Sequence, residues 1–590
     1  MRQGSVRLGG ALAGMGSLLL GSCACLASAA RAQVNPGALN PGLQQRQQQL
    51  QQQQQQLPGV ERGQPKPLLE EKPEAAPVAP ADPELLINRV QIQGARVIAA
   101  ARLEAPFAPL LGHTIRFSQL QQAIDEASNI YRREGYFISR VVLPEGGLTD
   151  GVLSLLAVEG YIEKVEVIGR GSPALKRWTA SFMAPVVSTA SNPRPVRFAR
   201  LERQLLAMQS VGGMRFSSTM AKGTGFASSQ LIIDLDPRLV SGSVGINNNV
   251  LLDLGDYQVN AQLQANVLDL GQPLQIDLGG SNAFPYAGGS VSGNGAITTP
   301  LGNSGLKLAL SGGITGTTST SLVPQLGVDL NTSGVSNLGS LALRYPIVLS
   351  RRSSVQVSLQ GDVQNISNDL YFDGTRVQSS DSRLRVLRLG LDASHSTPFA
   401  SSYAGLQLSQ GLPIWDAQVL SPDPALSNPY GSDSFVSARL TLQHQQRIGA
   451  SQHFFTVRGM GQWAGTPLPS SEDFSYGGPF LGRAYRSTFL IADQGVAGGL
   501  EYSFNLYSGQ SSFTPFVFYD VASVDQASGS APLPHQSAGS YGIGLRGSVG
   551  TSFNYELGWA IPTAISLGNG LSGRDGPSNS IVYFRAALGF

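Results

Sequence analysis

Charge is scarce in this sequence: 14% of its 590 residues are Asp, Glu, Lys or Arg, where soluble domains carry roughly a quarter. A soluble protein this poor in charge struggles to cover its surface. A membrane barrel does not, because half of its spanning residues face lipid. Cysteine is almost missing too. Cys23 and Cys25 are the two present, and both lie in an N-terminal stretch expected to be removed, so the mature chain forms no disulfide and offers no thiol to oxidising machinery. Past that stretch no run is long and apolar enough for a transmembrane helix. If the chain crosses a membrane, it does so with strands. The net charge of +2 comes without a basic cluster, which argues against a nucleic-acid partner. The histidines are scattered at His113, His395, His444, His453 and His535, and neither an H-E-x-x-H zinc motif nor a G-x-x-x-x-G-K-[ST] phosphate loop occurs. No catalytic residue, metal site or cofactor is read from the sequence, and an enzyme is not expected.

What is present begins with Arg2 and Arg7, an uncharged run from Leu8 to Ala30, and Ala30-Arg31-Ala32. A basic start, an apolar stretch and an A-x-A site make a secretory signal peptide over residues 1–32. The run is also long enough for an N-terminal membrane anchor. Leu20-Gly21-Ser22-Cys23 offers a third reading, a lipidated Cys23, but Gly21 fits that motif poorly and a better cleavage site follows. Residues 33–83 are of low complexity. Leu43 to Leu57 is almost all Gln, broken by Arg46 and Leu50, and Pro-rich sequence runs from Pro58 to Pro83. A disordered linker is one reading. A polar helix is the other, since Gln has fair helix propensity; without an apolar stripe it has no core to join, but it can sit in a water-filled lumen.

Residues 84–237 contain an internal repeat. Ile87, Val90, Ile92 and Gly94 recur at constant spacing as Ile162, Val165, Val167 and Gly169. Ile115-Arg116-Phe117-Ser118-Gln119-Leu120 recurs as Val196-Arg197-Phe198-Ala199-Arg200-Leu201. Two related domains are therefore expected, at 84–160 and 161–237, each in the order β-α-β-β. The first helix is marked by Ser118 and Gln121 as a capping box, by the apolar spacing of Leu120, Ala123, Ile124, Ala127, Ile130 and Tyr131, and by Gly135 at its end. Strands are expected at Phe137–Leu143 and Val152–Val158, with an additional helix around Ala100 to Leu111. In the second unit a helix spans Phe198 to Gln209, stops at Gly212-Gly213, and a last strand covers Leu231 to Leu235. Three strands backed by helices leave an open edge, which an extended polypeptide can join or which stays blunted and unused.

Beyond Pro237 the pattern changes to alternation. Val355, Val357, Leu359, Gly361 and Val363 share one face and Gln356, Ser358, Gln360 and Asp362 the other. Leu440 and Leu442 oppose Arg439 and Thr441; Leu500 and Tyr502 oppose Glu501 and Ser503. Apolar-out, polar-in segments of about ten residues suit a lipid-embedded, water-lined barrel, and about sixteen are found over 238–590. The last, Ser580 to Phe590, ends the chain on an aromatic. Such an end resembles the terminal signal read by the barrel-assembly machinery, which points to Phe590 and to a bacterial outer membrane with its lipid, without fixing a function.

Between the eleventh and twelfth strands a long loop, Gly465 to Leu490, carries Gly477-Gly478-Pro479-Phe480-Leu481-Gly482-Arg483-Ala484-Tyr485. On the thirteenth strand Phe516, Phe518 and Asp520 share one parity, and a charge there must face the lumen. An Arg on a loop folded into the barrel would pair with that carboxylate, and would do so strongly in a partly dehydrated lumen. The plain alternative is a solvated loop arginine unrelated to the aspartate.

These residues resemble the two-partner secretion transporters, the family that exports filamentous haemagglutinins and haemolysins. Their inward loop reads Gly-Gly, three residues, then Val-Arg-Gly-Tyr/Phe; here Gly477, Gly478, Arg483 and Tyr485 keep the spacing, with Gly482 for Val and Ala484 for Gly. Their partner motif, Phe-x-Asp-x-Gly, appears as Phe518-Tyr519-Asp520-Val521-Ala522. At Ala484 and Ala522 the family's glycine tolerates a positive φ and alanine does not. Gly135-Tyr136, Leu143-Pro144, Asp150-Gly151-Val152-Leu153 and Val158-Glu159-Gly160 resemble the first of the family's POTRA domains, and the Gln-rich segment is similar to the helix that plugs the resting pore. The resemblance implies two α+β periplasmic POTRA domains followed by an all-β sixteen-stranded transmembrane barrel. It implies export, without nucleotide or proton motive force, of an unfolded secreted partner protein with an N-terminal secretion domain. An outer-membrane barrel insertase shares the loop motif and the POTRA domains, but usually has more of them and needs no Gln-rich plug. A nutrient porin would leave two periplasmic domains without a task. The exported passenger is not named by the sequence.

Overall fold

A period-two pattern gives each strand one lipid-compatible and one polar face, and strands in a bilayer must pair on both sides because lipid offers no hydrogen bonds. Both conditions are met in a computed structural model, which describes residues 40–55, 82–249, 254–284, 289–323, 328–372, 374–420, 430–527, 535–566 and 579–590. The strands are β1 Val240–Asn247, β2 Tyr257–Val267, β3 Leu274–Phe284, β4 Gly289–Pro300, β5 Lys307–Val323 and β6 Val328–Leu349. They continue as β7 Ser353–Phe372, β8 Thr375–Ser396, β9 Ala400–Gly411, β10 Val436–Arg447 and β11 His453–Ala464. The last are β12 Gln494–Phe504, β13 Ser511–Asp525, β14 Gln536–Val549, β15 Phe553–Ser566 and β16 Ile581–Gly589. Each pairs antiparallel with the next, short extensions at Gln418–Leu420 and Leu506–Ser508 continue β9 and β12, and β1 meets β16 to close a sixteen-stranded barrel. At that seam Gly242 and Phe590 exchange two backbone hydrogen bonds of 3.1 and 2.9 Å. The Phe590 ring lies over Gly242, where a Cβ would meet it at 2.5 Å.

Strand β13 shows the wall most plainly. Phe516, Phe518, Asp520, Ala522 and Val524 are buried, while Val517, Tyr519 and Val521 between them are exposed on the outer face. Leu359, Val363, Leu440, Leu442 and Leu500 are exposed in the same way, and Asp362 and Glu501 are buried inside. Among the described residues no helix is long and apolar enough to cross a membrane.

Ahead of the barrel lie two sheets with a three-stranded core, the first carrying a short fourth strand, Leu148–Thr149, and a separate two-stranded sheet of Glu84–Ile87 and His113–Arg116. In the first, Val152–Val158 runs between Arg89–Gln93 and Arg140–Val142; in the second, Ser228–Leu235 runs between Tyr161–Gly169 and Phe216–Lys222. The repeat in the sequence is matched in backbone detail. Gly94 and Gly169 end equivalent strands with φ of +82° and +79°, and a Cβ at either would strike a carbonyl oxygen of the central strand.

Helix Phe117–Arg133 buries Leu120, Ala123, Ile124, Ala127, Ile130 and Tyr131, the expected stripe. Its start differs from expectation. Arg116 occupies the cap position, its N–H donating to Gln119 Oε1 at 2.9 Å, while Ser118 donates through its N–H (2.8 Å) and hydroxyl (3.0 Å) to Asp82. Gln121 bonds Asp125 instead. A carboxylate brought in from the preceding chain satisfies N-terminal N–H groups and complements the helix dipole, so the serine is not needed as acceptor. The end is a Schellman turn, with Tyr136 N–H to Tyr131 O (2.9 Å) and Gly135 N–H to Arg132 O (3.0 Å), at a Gly135 φ of +86°.

The strand expected at Phe137–Leu143 shortens to Arg140–Val142. Phe137 and Ile138 turn away to pack on the second domain's core, Phe137 against Phe198 with ring centroids 5.5 Å apart. Around Ala100 to Leu111 an α-helix covers only Ala100–Glu104 and continues as a 3-10 helix, Ala105–Leu110, because Pro106 and Pro109 cannot supply the α-helical N–H. The second domain also has a helix at Pro173–Phe182, capped by the Ser172 hydroxyl. Helix Phe198–Gln209 meets the barrel rim: Arg203 donates to Pro346 O (2.7 Å) and Ile347 O (3.1 Å), and Gln204 to Asn303 O (2.8 Å). The expected signal peptide with Cys23 and Cys25, and the Pro-rich stretch up to residue 81, lie outside the described residues.

Candidate functional site

The loop between β11 and β12 folds into the lumen. It contains a 3-10 turn at Ser470–Glu472 and a two-stranded hairpin, Phe474–Tyr476 against Leu490–Ala492. Its tip turns on three glycines, Gly477 (φ +123°), Gly478 (+98°) and Gly482 (+86°). A Cβ on Gly482 would stand 2.8 Å from the Tyr476 ring and 3.0 Å from Gly477 Cα. The turn is held by Gly478 N–H to Tyr485 O (3.0 Å) and Tyr485 N–H to Gly482 O (2.8 Å).

This geometry delivers Arg483 to Asp520. Nε donates to one carboxylate oxygen and Nη2 to the other, both at 3.0 Å, and the backbone N–H groups of Gly482 (3.1 Å) and Arg483 (3.3 Å) join them. The guanidinium lies 3.6 Å above the Phe518 ring, a distance at which a cation and a π-face attract. Its remaining nitrogen, Nη1, donates to Glu501 at 2.6 Å. Glu501 on β12 also takes Arg458 (3.0 Å) and Arg546 (2.5 Å). Room for the loop comes from Gly499, where a Cβ would fall 2.5 Å from Asp520 and 2.6 Å from Leu481. Tyr485 donates its hydroxyl to Gly539 O (2.7 Å) and stacks on Phe489 at 4.3 Å. Ala484 and Ala522 are buried, and neither is among the residues with positive φ. Beside the arginine the positive-φ position is Gly482, before it, and alanine is unstrained at 484 and 522. Phe590 stands apart from this cluster, at the seam and exposed.

A second cluster binds the base of the same loop. Arg388 on β8 grips Glu472 with two nitrogens (2.7 and 3.0 Å) and donates Nε to Asp362 on β7 at 2.6 Å. Glu472 is also reached by Arg46, at 2.7 Å. Arg46 is the one charged residue of α1, Pro41–Gln55, an α-helix inside the barrel. Asn40 caps it, accepting from Gly42 N–H at 2.9 Å. Gln45 accepts from Ser336 (2.8 Å) and Gln364 (3.3 Å), Gln47 bonds Ser475 of the loop, and Leu43 is buried against Leu254, Ala283 and Ile491. Of the two readings of the Gln-rich segment, residues 41–55 thus take the helical one, with lumen-lining hydroxyls and amides in place of an apolar core.

The structure brings together Gly477, Gly478, Arg483, Ala484, Tyr485, Phe518 and Asp520. Glu501, Glu472, Arg388, Asp362 and Arg46 were not singled out from the sequence. A signal for three of them was present: a charge within a membrane-spanning strand is costly unless it faces the lumen and finds a partner, and Asp362, Arg388 and Glu501 are such charges. Among the described residues no group of three His, Cys, Asp or Glu side chains is placed to hold a metal ion.

Two families match the sequence. The ShlB-type POTRA domain covers residues 85–160, and the haemolysin secretion/activation protein ShlB/FhaC/HecB covers residues 228–547. Among known proteins, the chain is 23% identical over 587 residues to the outer membrane transporter CdiB of Escherichia coli, spanning 97% of this chain and 94% of that one. It is 23% identical over 464 residues to the hemolysin transporter protein HpmB of Proteus mirabilis, covering 75% and 76%. The solved structure of CdiB from Escherichia coli superposes with a TM-score of 0.70 at 19% identity, over 95% of this chain and all of that one. CdiB from Acinetobacter baumannii gives 0.62 at 16% identity. These superpositions share the fold.

Proposed function

Because this chain belongs to the haemolysin secretion/activation family of two-partner secretion transporters, we propose that its lumen works as a gated export channel whose gate is α1 and the inward loop together. The chain is an outer-membrane transporter with its N-terminal domains in the periplasm. Its partner is a secreted protein, which arrives unfolded, pairs through an N-terminal secretion domain with a POTRA sheet, and passes the lumen once α1 leaves. Folding outside the cell supplies direction, and no nucleotide is spent. The machinery that inserts the barrel reads the terminal strand ending in Phe590, and the exposed apolar face of the wall contacts outer-membrane lipid. The task is transport and not catalysis.

The observation that carries the reading is the joint at Glu472. One buried carboxylate holds both Arg46 of the lumenal helix and, through Arg388, the wall of the barrel, so helix and loop fill the pore as one body. At the loop's far end Arg483, Asp520 and Glu501 fix the tip. A barrel-protein insertase has no use for a helix anchored across its lumen, which sets that alternative below export. Arg483→Ala and Asp520→Ala are expected to cut export sharply while the barrel still inserts. Removing one member of a buried pair costs about 3–5 kcal/mol, enough to free the loop tip. Immunoblots of culture medium and outer membrane read both quantities. Normal export by either variant at equal outer-membrane levels would remove the proposed role.

A further inference from the structure

Two of the five histidines have settings of their own: His113 lies in the first periplasmic domain, and His535 pairs with Asp525 at the outer end of β13. The other three, far apart in sequence, gather on one arc of the barrel. His395 and His444 lie close to the ends of β8 and β10, and His453 opens β11. Each shares the parity of its strand's lipid-facing residues: Leu389 and Leu391 on β8, Leu440 and Leu442 on β10, Phe455 and Val457 on β11, all exposed. The imidazoles therefore project from the outer face, at the strand ends nearest the periplasm. That end of the wall is marked by β6, whose Pro346 and Ile347 carbonyls take the bonds from Arg203 of the second periplasmic domain.

The three sites are built alike. In each, a hydroxyl of the adjacent strand meets the ring's Nδ1: Ser353 of β7 at His395 (2.8 Å), Ser402 of β9 at His444 (2.8 Å) and Tyr502 of β12 at His453 (2.6 Å). Ser353, His395, Ser402 and His444 are also direct cross-strand neighbours, one to the next, and so form a single row across four strands. A hydroxyl that donates to Nδ1 leaves the neutral ring with its proton on Nε2. With Nδ1 donating instead, the hydroxyl keeps its own proton free. Either way each pair has a hydrogen-bond donor left over, and hydrocarbon offers it no acceptor.

We infer that this row binds the phosphate head groups of phospholipid in the periplasmic leaflet, with His395 and His444 donating to phosphate oxygens. Lipid is the occupant because the residues on the membrane side of the row, from Leu391 to Leu442, are exposed apolar wall that hydrocarbon must cover. Phe399 and Ile448, exposed in the turns beyond the strands, border the row on its other side, and aromatic side chains gather at the head-group level of a bilayer. Phosphate is the group because the row offers donors and its surroundings offer positive charge. The turns at 350–352, 397–399, 448–452 and 505–510 contain Arg351 and Arg352 but no Asp or Glu. Arg352, exposed, directly precedes Ser353. Such a site needs only the outer-membrane placement and is indifferent to the passenger.

The test is native mass spectrometry of the full-length protein, released from vesicles in which phosphatidylglycerol competes with diacylglycerol of the same acyl chains. His395→Phe and His444→Phe keep a ring on the wall and remove its donors, and heat-modifiable mobility on gels follows folding. The unaltered chain is expected to retain phosphatidylglycerol over diacylglycerol, and each substitution to lower that retention about fivefold. Equal retention of the two lipids, or undiminished retention by the double variant, would overturn the assignment. A dimer of the chain that the double variant abolishes, with no lipid retained, would make the row a contact between copies and overturn it as well. A second measurement needs no substitution. Phosphatidylglycerol carrying a photoactivatable head group should label peptides that contain the turns at 350–352, 397–399 and 448–452, and labelling confined to other parts of the barrel would refute the placement.

Discussion

Restoring the family's valine before the arginine should damage this protein. Gly482 sits at φ +86° and its missing side chain leaves room for the Tyr476 ring and Gly477 Cα. An L-residue in the left-handed region costs about 1–2 kcal/mol, and β-branching makes it worse. Relief requires the backbone to rotate, which withdraws at least one of the two N–H groups now donated to Asp520; a hydrogen bond to a charged group contributes about 1.5–3 kcal/mol. Together these shift the docked-to-free ratio of the loop by roughly two to four orders of magnitude. Gly482→Val should therefore reduce export strongly, and Gly482→Ala less, with outer-membrane levels unchanged. The double variant Gly482→Val, Ala484→Gly moves the flexible residue to the other side of Arg483 and should recover part of the loss. The assay is the amount of partner in the medium, alongside protease protection of the loop in intact cells. Full export by Gly482→Val alone, with the loop still protected, would refute the argument from backbone conformation.

Three further outcomes are expected. Arg46→Gln should raise mean single-channel conductance in planar bilayers by loosening α1, and combining it with Glu472→Gln should add less than the sum of the two; strict additivity would deny a shared joint. Deleting residues 33–83 should raise conductance further, and an unchanged trace would mean that α1 does not obstruct the pore. In the second periplasmic domain the Glu163 carboxyl is held down to about 2, chiefly by the Thr224 backbone N–H at 2.9 Å. A folded-state pKa below the unfolded value gives stability that is present in full above the ordinary 4.5 and is lost as pH falls toward 2. Amide exchange in the turn before Ser228 should accelerate over that window, and Glu163→Gln should flatten the dependence; an identical slope in the variant would contradict the assignment.

How much of this could be read from the sequence depends on distance along the chain. The barrel wall was legible because its signal is local, as in β13, where Phe516 to Val524 alternate residue by residue. The repeat was legible through Gly94 and Gly169, since a backbone turn of that kind leaves few choices of residue. Arg483 of the loop and Asp520 of β13 were found through their motif spacing. Glu472 was not, because its partners Arg46 and Arg388 lie far away in sequence and no local pattern joins them. The Ser118 cap was misread for the same reason: Asp82, its real partner, comes from outside the helix. Glu501 stood on the polar face of its strand, but only the closed wall shows that three arginines converge on it.

One consequence concerns the width of the barrel. The inward loop is fastened at its base to β7 and β8 through Glu472, and at its tip to β12, β13 and β14 through Arg483 and Tyr485. Loop and wall thus form a braced ring, with the loop as a tie between separate arcs of the circumference. While both fastenings hold, the cross-section cannot become rounder or wider without breaking buried ion pairs. Releasing either one would soften the whole ring, including the short β1–β16 seam, beside which the loop's Ser487 donates to Asn249 O at 2.7 Å.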